Sequence, residues 1–346
     1  MSATWGTLGP DPGWRHDGQE GSAETEVEAD PGRWQEELDV QSYAEGSMTL
    51  PGQGEEGPNC GIWKPADFCD ECADVGYAPN RCERRSCPNC DGEWTRQRAV
   101  GATVRLQAAR HTEPKDVSRR VVHAAVSPPE GSVTTLQEVY DGFSDAYELA
   151  KQKGIRGGVA VFHGFRVRES VKEDFQQANP DMGIWRWVRT ERSEDWRTLT
   201  YWSPHWHVIG LCRDLEADDP DAQDGWVVRR MPTRFAPMES LNDRESYSDV
   251  VGAVRYLMSH ATFEADTSRD CVRWFGDLAT TKFSPEREIS EGALATIERV
   301  TEEVVGPGDD RGDEGAPDDE EEPCEECGAT SRSPIWEAGA ALADPG

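Results

Sequence analysis

The residues of this sequence best suited to chemistry are two histidines, His205 and His207, in the segment TLTYWSPHWHVIGLC. The apolar and β-branched residues around them predict a strand. Because side chains alternate along a strand, both imidazoles lie on one face, about 6–7 Å apart. Two imidazoles so placed can bind one divalent ion. The sequence therefore predicts a metal site here, and the alternative is a pair of buried structural histidines.

Cysteines form the second group with metal-ligand spacing. Six of the ten lie between residues 60 and 90, and they include two C-x-x-C pairs, Cys69/Cys72 and Cys87/Cys90, separated by 14 residues. Each pair can form a turn that presents two thiolates, and two such turns complete a tetrahedral zinc site. Cys82 can replace a member of the first pair, so the choice of four ligands stays open. Disulfide bonds are disfavoured in an intracellular chain.

The remaining cysteines allow a second, weaker prediction. Cys324 and Cys327 form another C-x-x-C in the C-terminal segment, and with Cys60 and Cys82 they can form a second site. Cys212 and Cys271 stand in apolar runs and are predicted to be core residues.

Charge is distributed unevenly along the chain. The formal net charge is -31; residues 1–59 carry 13 acids against 2 bases, and residues 301–346 carry 15 against 2. Both segments are also rich in Gly and Pro, and this composition predicts that they are acidic disordered tails. Only six of the 36 basic residues are Lys, and Arg usage with this acidity is typical of halophilic proteins.

One segment departs from this acidity. Residues 78–120 hold ten bases and five acids. A basic segment in so acidic a chain indicates contact with a polyanion, and a solvated helix face is the alternative. The predicted DNA contacts are Arg84, Arg85, Arg96 and Arg98.

Periodicity predicts the elements that must position these groups. Strands are expected at 119–129, 157–169, 183–191, 203–212 and 271–276, and helices at 132–154 and 248–263. This order predicts an α+β fold, with an antiparallel sheet and helices packed on one face. The expected organisation is an acidic disordered tail at 1–58, a zinc module with a basic helix at 59–115, the sheet domain at 118–285 and a second acidic tail at 300–346.

The N-terminus has no basic region followed by an apolar stretch, and no run of 18 apolar residues occurs. The sequence therefore predicts a soluble, cytoplasmic protein with no membrane partner.

The HWH motif, the preceding SP and the upstream CERRSCPNC together resemble the HUH endonucleases, in particular the rolling-circle replication initiators of small haloarchaeal plasmids and viruses. The resemblance covers roughly residues 60–285. It implies that a Mg²⁺ or Mn²⁺ ion held by His205 and His207 acts on single-stranded or hairpin origin DNA, with a host polymerase and helicase as partners. The chain contains no G-K-[ST] sequence, so a fused P-loop helicase is not predicted.

The resemblance also implies a nucleophilic tyrosine on the helix after the histidines. Tyr256 occupies that place, and Tyr247 is the rival. Many relatives have Lys three residues after the tyrosine; here that residue is Ser259, and the neighbouring His260 is the expected substitute. The third metal ligand is expected to be His163, with His123 and His260 as alternatives.

Three other functions are compatible with parts of the pattern. An HUH transposase shares the same motif. A non-catalytic zinc-ribbon regulator would bind DNA while the histidines remain structural. A histidine-triad nucleotide hydrolase is disfavoured, because it needs a third histidine where this chain has Ile209.

Overall fold

The structure is a computed structural model. It describes residues 45–113, 120–180, 182–190, 195–212, 223–264, 270–306, 326–327 and 332–334. Most of the two predicted acidic tails lies outside these described residues.

The elements alternate between strands and helices. In chain order the strands are β1 (Met48–Thr49), β2 (Trp63–Cys69), β3 (Val75–Pro79), β4 (Arg120–Ser127), β5 (Ile155–Val167), β6 (Thr200–Cys212), β7 (Val227–Arg230), β8 (Phe263–Glu264), β9 (Val272–Gly276) and β10 (Arg332–Pro334). The α-helices are α1 (Asp91–Thr112), α2 (Leu136–Gln152), α3 (Glu169–Ala178), α4 (Ile184–Thr190), α5 (Arg244–Ser259), α6 (Pro285–Glu288) and α7 (Glu291–Val305). Short 3₁₀ helices lie at Trp196–Leu199 and Gln223–Gly225.

Five strands form the central sheet in the order β7-β4-β6-β5-β9, and every neighbouring pair is antiparallel. The predicted α+β class with an antiparallel sheet is confirmed. Strand β6 lies in the middle, between β4 and β5, and its last eight residues are all buried. Because both faces of this buried stretch are covered, its residues are apolar apart from His205 and His207, and these two side chains need partners inside the protein.

Helices cover both faces of the sheet, so the expectation that they pack on one face is wrong. On one face, Phe143 of α2 contacts Phe162 and Trp206, with ring centroids 6.5 and 6.0 Å apart. On the other face lie α5 and α1, which are joined by a hydrogen bond from Gln107 to the Ser246 carbonyl. The capping box of Thr135 and Glu138 begins α2, as a sequence with Thr-x-x-Glu allows.

The predicted strand at 183–191 is instead the short helix α4. Its buried residues are Ile184, Trp185, Trp187 and Val188, the i, i+1, i+3, i+4 spacing of a helix. Aromatic and β-branched residues in a run this short do not distinguish strand from helix. Arg189 fixes the helix by donating to the Pro51 carbonyl and pairing with buried Asp91 at 3.2 Å.

Both predicted tail boundaries also need correction. The predicted tail at 1–58 includes Met48 and Leu50, which are fully buried in the main core, and β1 pairs with β8. At the other end, α7 continues through residue 300 to Val305, which is buried. Residues 48–50 and 301–305, which the predicted tails include, therefore pack with the rest of the described protein.

A second sheet forms beside the cysteines. Strands β2 and β3 form an antiparallel hairpin, and β10 pairs with the outer edge of β2, with Arg332 opposite Cys69. We call this three-stranded unit the ribbon. It brings a segment near the C-terminus onto the Cys-rich N-terminal segment.

Candidate functional site

Three histidines form a cluster on the central sheet. His163 on β5 stands directly opposite His205 on β6, and His207 lies two residues further along the same face. One potential ligand nitrogen from each lies within 4.8 Å of the other two. The cluster can hold a metal ion, and the expectation that His163 joins His205 and His207 agrees with this geometry.

A β-bulge in the pairing of β5 with β6 lies next to the cluster and orients the histidine side chains. The pairing of β5 with β6 shifts register between His163 and Phe165, so that two residues of β6, Ser203 and Pro204, stand opposite one of β5. Pro204 cannot donate a ladder hydrogen bond, so it fits such an irregular position. Gly164 is required at this point, because a Cβ there would lie 2.4 Å from the Trp202 ring.

Backbone carbonyls determine which imidazole nitrogens are open to a metal. His205 Nδ1 lies 2.7 Å from the Ser203 carbonyl, and His163 Nε2 lies 3.1 Å from the Leu257 carbonyl. A carbonyl can only accept, so each of these nitrogens carries the proton. The lone pair is therefore on Nε2 of His205 and on Nδ1 of His163. Metal-binding histidines are usually oriented by this kind of second hydrogen bond.

His207 is oriented by a fourth histidine. Its Nδ1 lies 2.8 Å from Nε2 of His123 on β4, and His123 Nδ1 lies 3.0 Å from Thr233 Oγ1. If His207 donates to His123, and His123 donates to Thr233, the Nε2 of His207 keeps its lone pair for a metal. His123, an alternative for the third ligand, is thus placed behind the cluster as a positioning residue.

The histidines are held neutral by their surroundings. Burial lowers the pKa of His123 and of His205 to about 3, and the charge of Arg166 adds to the effect at His205. Burial also holds the pKa of His163, His207 and His260 well below the usual value for histidine. Neutral imidazoles retain the lone pair that a metal needs.

We expect His123→Phe to weaken metal binding at the cluster by about 10- to 100-fold, the usual effect of losing an outer hydrogen-bond partner. The phenyl ring keeps most of the imidazole volume while removing the bond to His207. Titration of the metal-depleted protein with Co²⁺ measures the affinity. Thr233→Val is the matched control and should have a smaller effect, because Thr233 contacts His123 and not a ligand. Unchanged affinity in the His123 variant would show that His207 needs no such support.

The predicted nucleophile lies beside the cluster. Tyr256 on α5 packs edge-on against His260, with ring centroids 4.7 Å apart, and His260 in turn lies 4.1 Å from the His163 ring. Trp185 stacks on the other side of His260 at 4.8 Å. Sequence reasoning did not identify this role of Trp185, because α4 was expected to be a strand. Tyr256 is half-buried, and the His260 side chain connects its ring to the three-histidine cluster.

Tyr247, the rival nucleophile, is badly placed for chemistry. It is fully buried, and its hydroxyl has no hydrogen-bond partner among the described residues. Burial raises the pKa of its hydroxyl to about 12. A phenol in this position neither reaches a substrate nor ionises readily.

The cysteines assemble differently from the predicted pairing of Cys69/Cys72 with Cys87/Cys90. Cys87 and Cys90 meet Cys60 and Cys82 instead. The Sγ of Cys60 lies 3.5 Å from that of Cys87 and 3.4 Å from that of Cys90, and the Sγ atoms of Cys82 and Cys90 are 3.7 Å apart. Four sulfurs about 2.3 Å from one zinc lie about 3.8 Å from each other, so this cluster has the dimensions of a tetrahedral site. Cys82 and Cys60 take the two places that were predicted for Cys69 and Cys72. The spacing had not indicated Cys60 as a ligand of this site.

The other pair has a different partner. Cys69 and Cys72 form a group with Cys327, and the Sγ atoms of Cys69 and Cys327 are 3.6 Å apart. The expectation that the C-terminal pair joins Cys60 and Cys82 is therefore wrong for Cys327, while Cys324 lies outside the described residues. Cys212 and Cys271 are buried, as expected of core residues.

The predicted DNA-binding arginines are mostly engaged within the protein. Arg96 pairs with Glu93 and with Glu302 of α7, at 2.8 and 2.7 Å. Arg98 pairs with Asp270 at 3.4 Å, and Arg85 lies over the Phe263 ring at 4.1 Å. These contacts partly offset the charges of Arg96 and Arg98. Of the four predicted contacts, Arg84 and Arg98 are exposed.

Two other surfaces carry exposed aromatic side chains. On the ribbon, Trp63 and Tyr77 lie on the same face and are 60% and 58% exposed. Near the histidines, Arg166 stands opposite Tyr201, which is 41% exposed, and its charge acts on His205. Exposed aromatic rings beside cations are the usual means of binding unpaired bases and phosphates.

No family model matches the chain, and no curated protein or solved structure was found to be similar to it. Among the helices of the described ranges, none is both long and apolar enough to cross a membrane.

Proposed function

We propose that this protein is a DNA nicking-joining endonuclease of the HUH type that initiates rolling-circle replication. The observation that carries the proposal is the position of Tyr256, whose ring contacts His260 next to the three-histidine cluster. A metal site beside a tyrosine on a helix is the arrangement that the sequence resemblance implies. Origin DNA, a host polymerase and a host helicase are the proposed partners.

The chemistry assigns distinct roles to the residues. The Tyr256 oxygen attacks the scissile phosphorus, the P–O3′ bond breaks, and the products are a 5′-phosphotyrosine and a free 3′-hydroxyl. His260, the expected substitute for the Lys, contacts the Tyr256 ring, and the phenol proton passes to solvent water. The leaving 3′-oxygen takes a proton from water. Because the adduct conserves the phosphodiester bond, rejoining requires no ATP.

His163, His205 and His207 would hold the divalent ion. When bound, the ion would polarise the scissile phosphate and stabilise the charge on its oxygens. The ligand set favours Mn²⁺ over Mg²⁺, because Mg²⁺ prefers oxygen ligands and imidazole suits transition metals better. Of the two predicted ions, Mn²⁺ therefore fits the three histidines better than Mg²⁺.

Covalent capture tests the proposal. We expect the wild-type protein, mixed with Mn²⁺ and a pool of single-stranded and hairpin oligonucleotides, to retain a 3′-terminal label on a denaturing gel. A 5′-terminal label should instead be released as a shorter strand. His205→Ala should abolish the adduct, and Mg²⁺ should support it less well than Mn²⁺. A protein that retains the 5′-terminal label and releases the 3′-terminal one would have the opposite bond polarity, which contradicts the proposed attack.

A second function is favoured by one observation. The three clustered histidines are only 1–8% exposed, and a metal bound by such buried ligands can be purely structural. The protein would then be a non-catalytic DNA-binding regulator. Absence of any adduct with every divalent ion, together with retained binding of single-stranded DNA, would support this function over the first.

A further inference from the structure

We propose that Cys69, Cys72 and Cys327 supply three ligands of a second zinc site, which holds the C-terminal segment on the ribbon. This site is separate from the cluster of Cys60, Cys82, Cys87 and Cys90, and it is independent of the proposed nicking activity. It joins residues 258 positions apart in the chain.

The turn after β2 presents its two cysteines together. Cys69 ends β2, its carbonyl accepts from the Ala73 N–H at 2.8 Å, and its own N–H donates to the Asp74 carbonyl at 2.7 Å. Ala73 has a left-handed conformation, with φ of 62°, which reverses the chain tightly.

The third ligand comes from the opposite end of the chain. Strand β10 pairs with β2 so that Arg332 lies opposite Cys69 and Pro334 opposite Asp67. This pairing places Cys327, five residues before Arg332, at the same end of the ribbon as the turn. The strand pairing and the sulfur cluster are two independent observations that bring the same two segments together.

The sulfur geometry fits a shared metal. The Sγ atoms of Cys69 and Cys327 are 3.6 Å apart, and the three sulfurs lie within 4.8 Å of one another. Two thiolates on one tetrahedral zinc are about 3.8 Å apart, whereas disulfide sulfurs are separated by about 2.05 Å. Three converging cysteines also suit a metal better than a disulfide, which would leave one thiol over.

Zinc at this site would make the attachment of Cys327 and β10 to the ribbon depend on the metal. Residues 307–325 contain ten acids and one base, and they connect the end of α7 to Cys327. A zinc at the ribbon would fix the far end of this segment. We therefore expect loss of the metal to release the chain end while leaving the central sheet intact.

Zinc content of the full-length chain tests the site. Cys327→Ser should contain one equivalent of zinc less than the wild type, and Cys90→Ser should also lose one, from the other cluster. Cys212→Ala, a change at a buried cysteine outside both groups, should retain the wild-type content. An unchanged zinc content in Cys327→Ser would overturn the proposal, and a disulfide between Cys69 and Cys327 would give that result.

A release experiment gives a second readout. A specific protease site inserted after Gly312 lets the chain be cut between α7 and Cys327. We expect the C-terminal fragment to remain bound to the rest of the protein on gel filtration, and to separate when Cys327→Ser is present. Separation of the fragment with intact Cys327 and bound zinc would contradict the proposal. Neither result depends on whether the protein nicks DNA.

Discussion

Tyr256→Phe is expected to reduce formation of the protein–DNA adduct by at least about 10³-fold, because it removes the attacking oxygen and no other group of the site. The ring remains, so its edge-on contact with His260 should persist. Metal affinity and single-stranded DNA binding should stay close to the wild-type values. Denaturing gels with a 3′-labelled oligonucleotide measure the adduct, and fluorescence anisotropy measures binding.

Tyr247→Phe is the matched control on the same helix. Its buried hydroxyl has no hydrogen-bond partner among the described residues, so its removal should leave the adduct unchanged and stability equal or slightly higher. If Tyr247→Phe eliminates the adduct and Tyr256→Phe does not, the nucleophile is assigned to the wrong tyrosine.

Cys90→Ser is expected to have the largest effect on stability. Cys90 is buried in the cluster that it forms with Cys60, Cys82 and Cys87. It directly precedes α1, and α1 packs against α5, the helix that carries Tyr256. Structural zinc contributes about 10–16 kcal/mol in isolated finger peptides, so we expect a loss of roughly 3 kcal/mol or more here. In a domain of this size such a loss lowers the melting temperature by about 6–12 °C. Thermal unfolding at constant molar salt measures it.

Cys212→Ala provides the comparison for that measurement. Cys212 is also buried, at the end of β6, but it belongs to neither cysteine group. Its substitution should cost only about 1 kcal/mol, the typical effect of a small core change. Equal losses of stability in the two variants would mean that the cluster at Cys90 acts as ordinary core without zinc.

The histidine site could largely be predicted because its geometry is local. Alternation along one strand places His205 and His207 on the same face, whatever the rest of the fold. His163 could be chosen as the neighbour because it lies on another predicted strand, but only the register of β5 with β6 places it opposite His205. The supporting contact from His123 depends on the register of β4 with β6, which residue spacing does not indicate.

The cysteine groups could not be predicted to the same degree. Residue spacing shows that Cys69 and Cys72 share one turn and that Cys87 and Cys90 share another. It does not show which turns come together in the fold. That choice depends on the pairing of β10 with β2, a contact between the two ends of the chain. The partners of the basic segment were likewise only partly predictable, because Arg96 pairs with nearby Glu93 but also with Glu302, and Arg98 pairs with Asp270, both far away in sequence.

Identification of the residue that becomes linked to DNA tests the proposed nicking reaction. The wild-type protein is allowed to react with single-stranded DNA and Mn²⁺, digested with nuclease and protease, and examined by mass spectrometry for a peptide carrying a nucleotide. The proposed function predicts a 5′-phosphonucleotide on Tyr256, within the peptide YLMSHATFEADTSR. A nucleotide on a different residue, or no modified peptide from a protein that binds the same DNA, would contradict it.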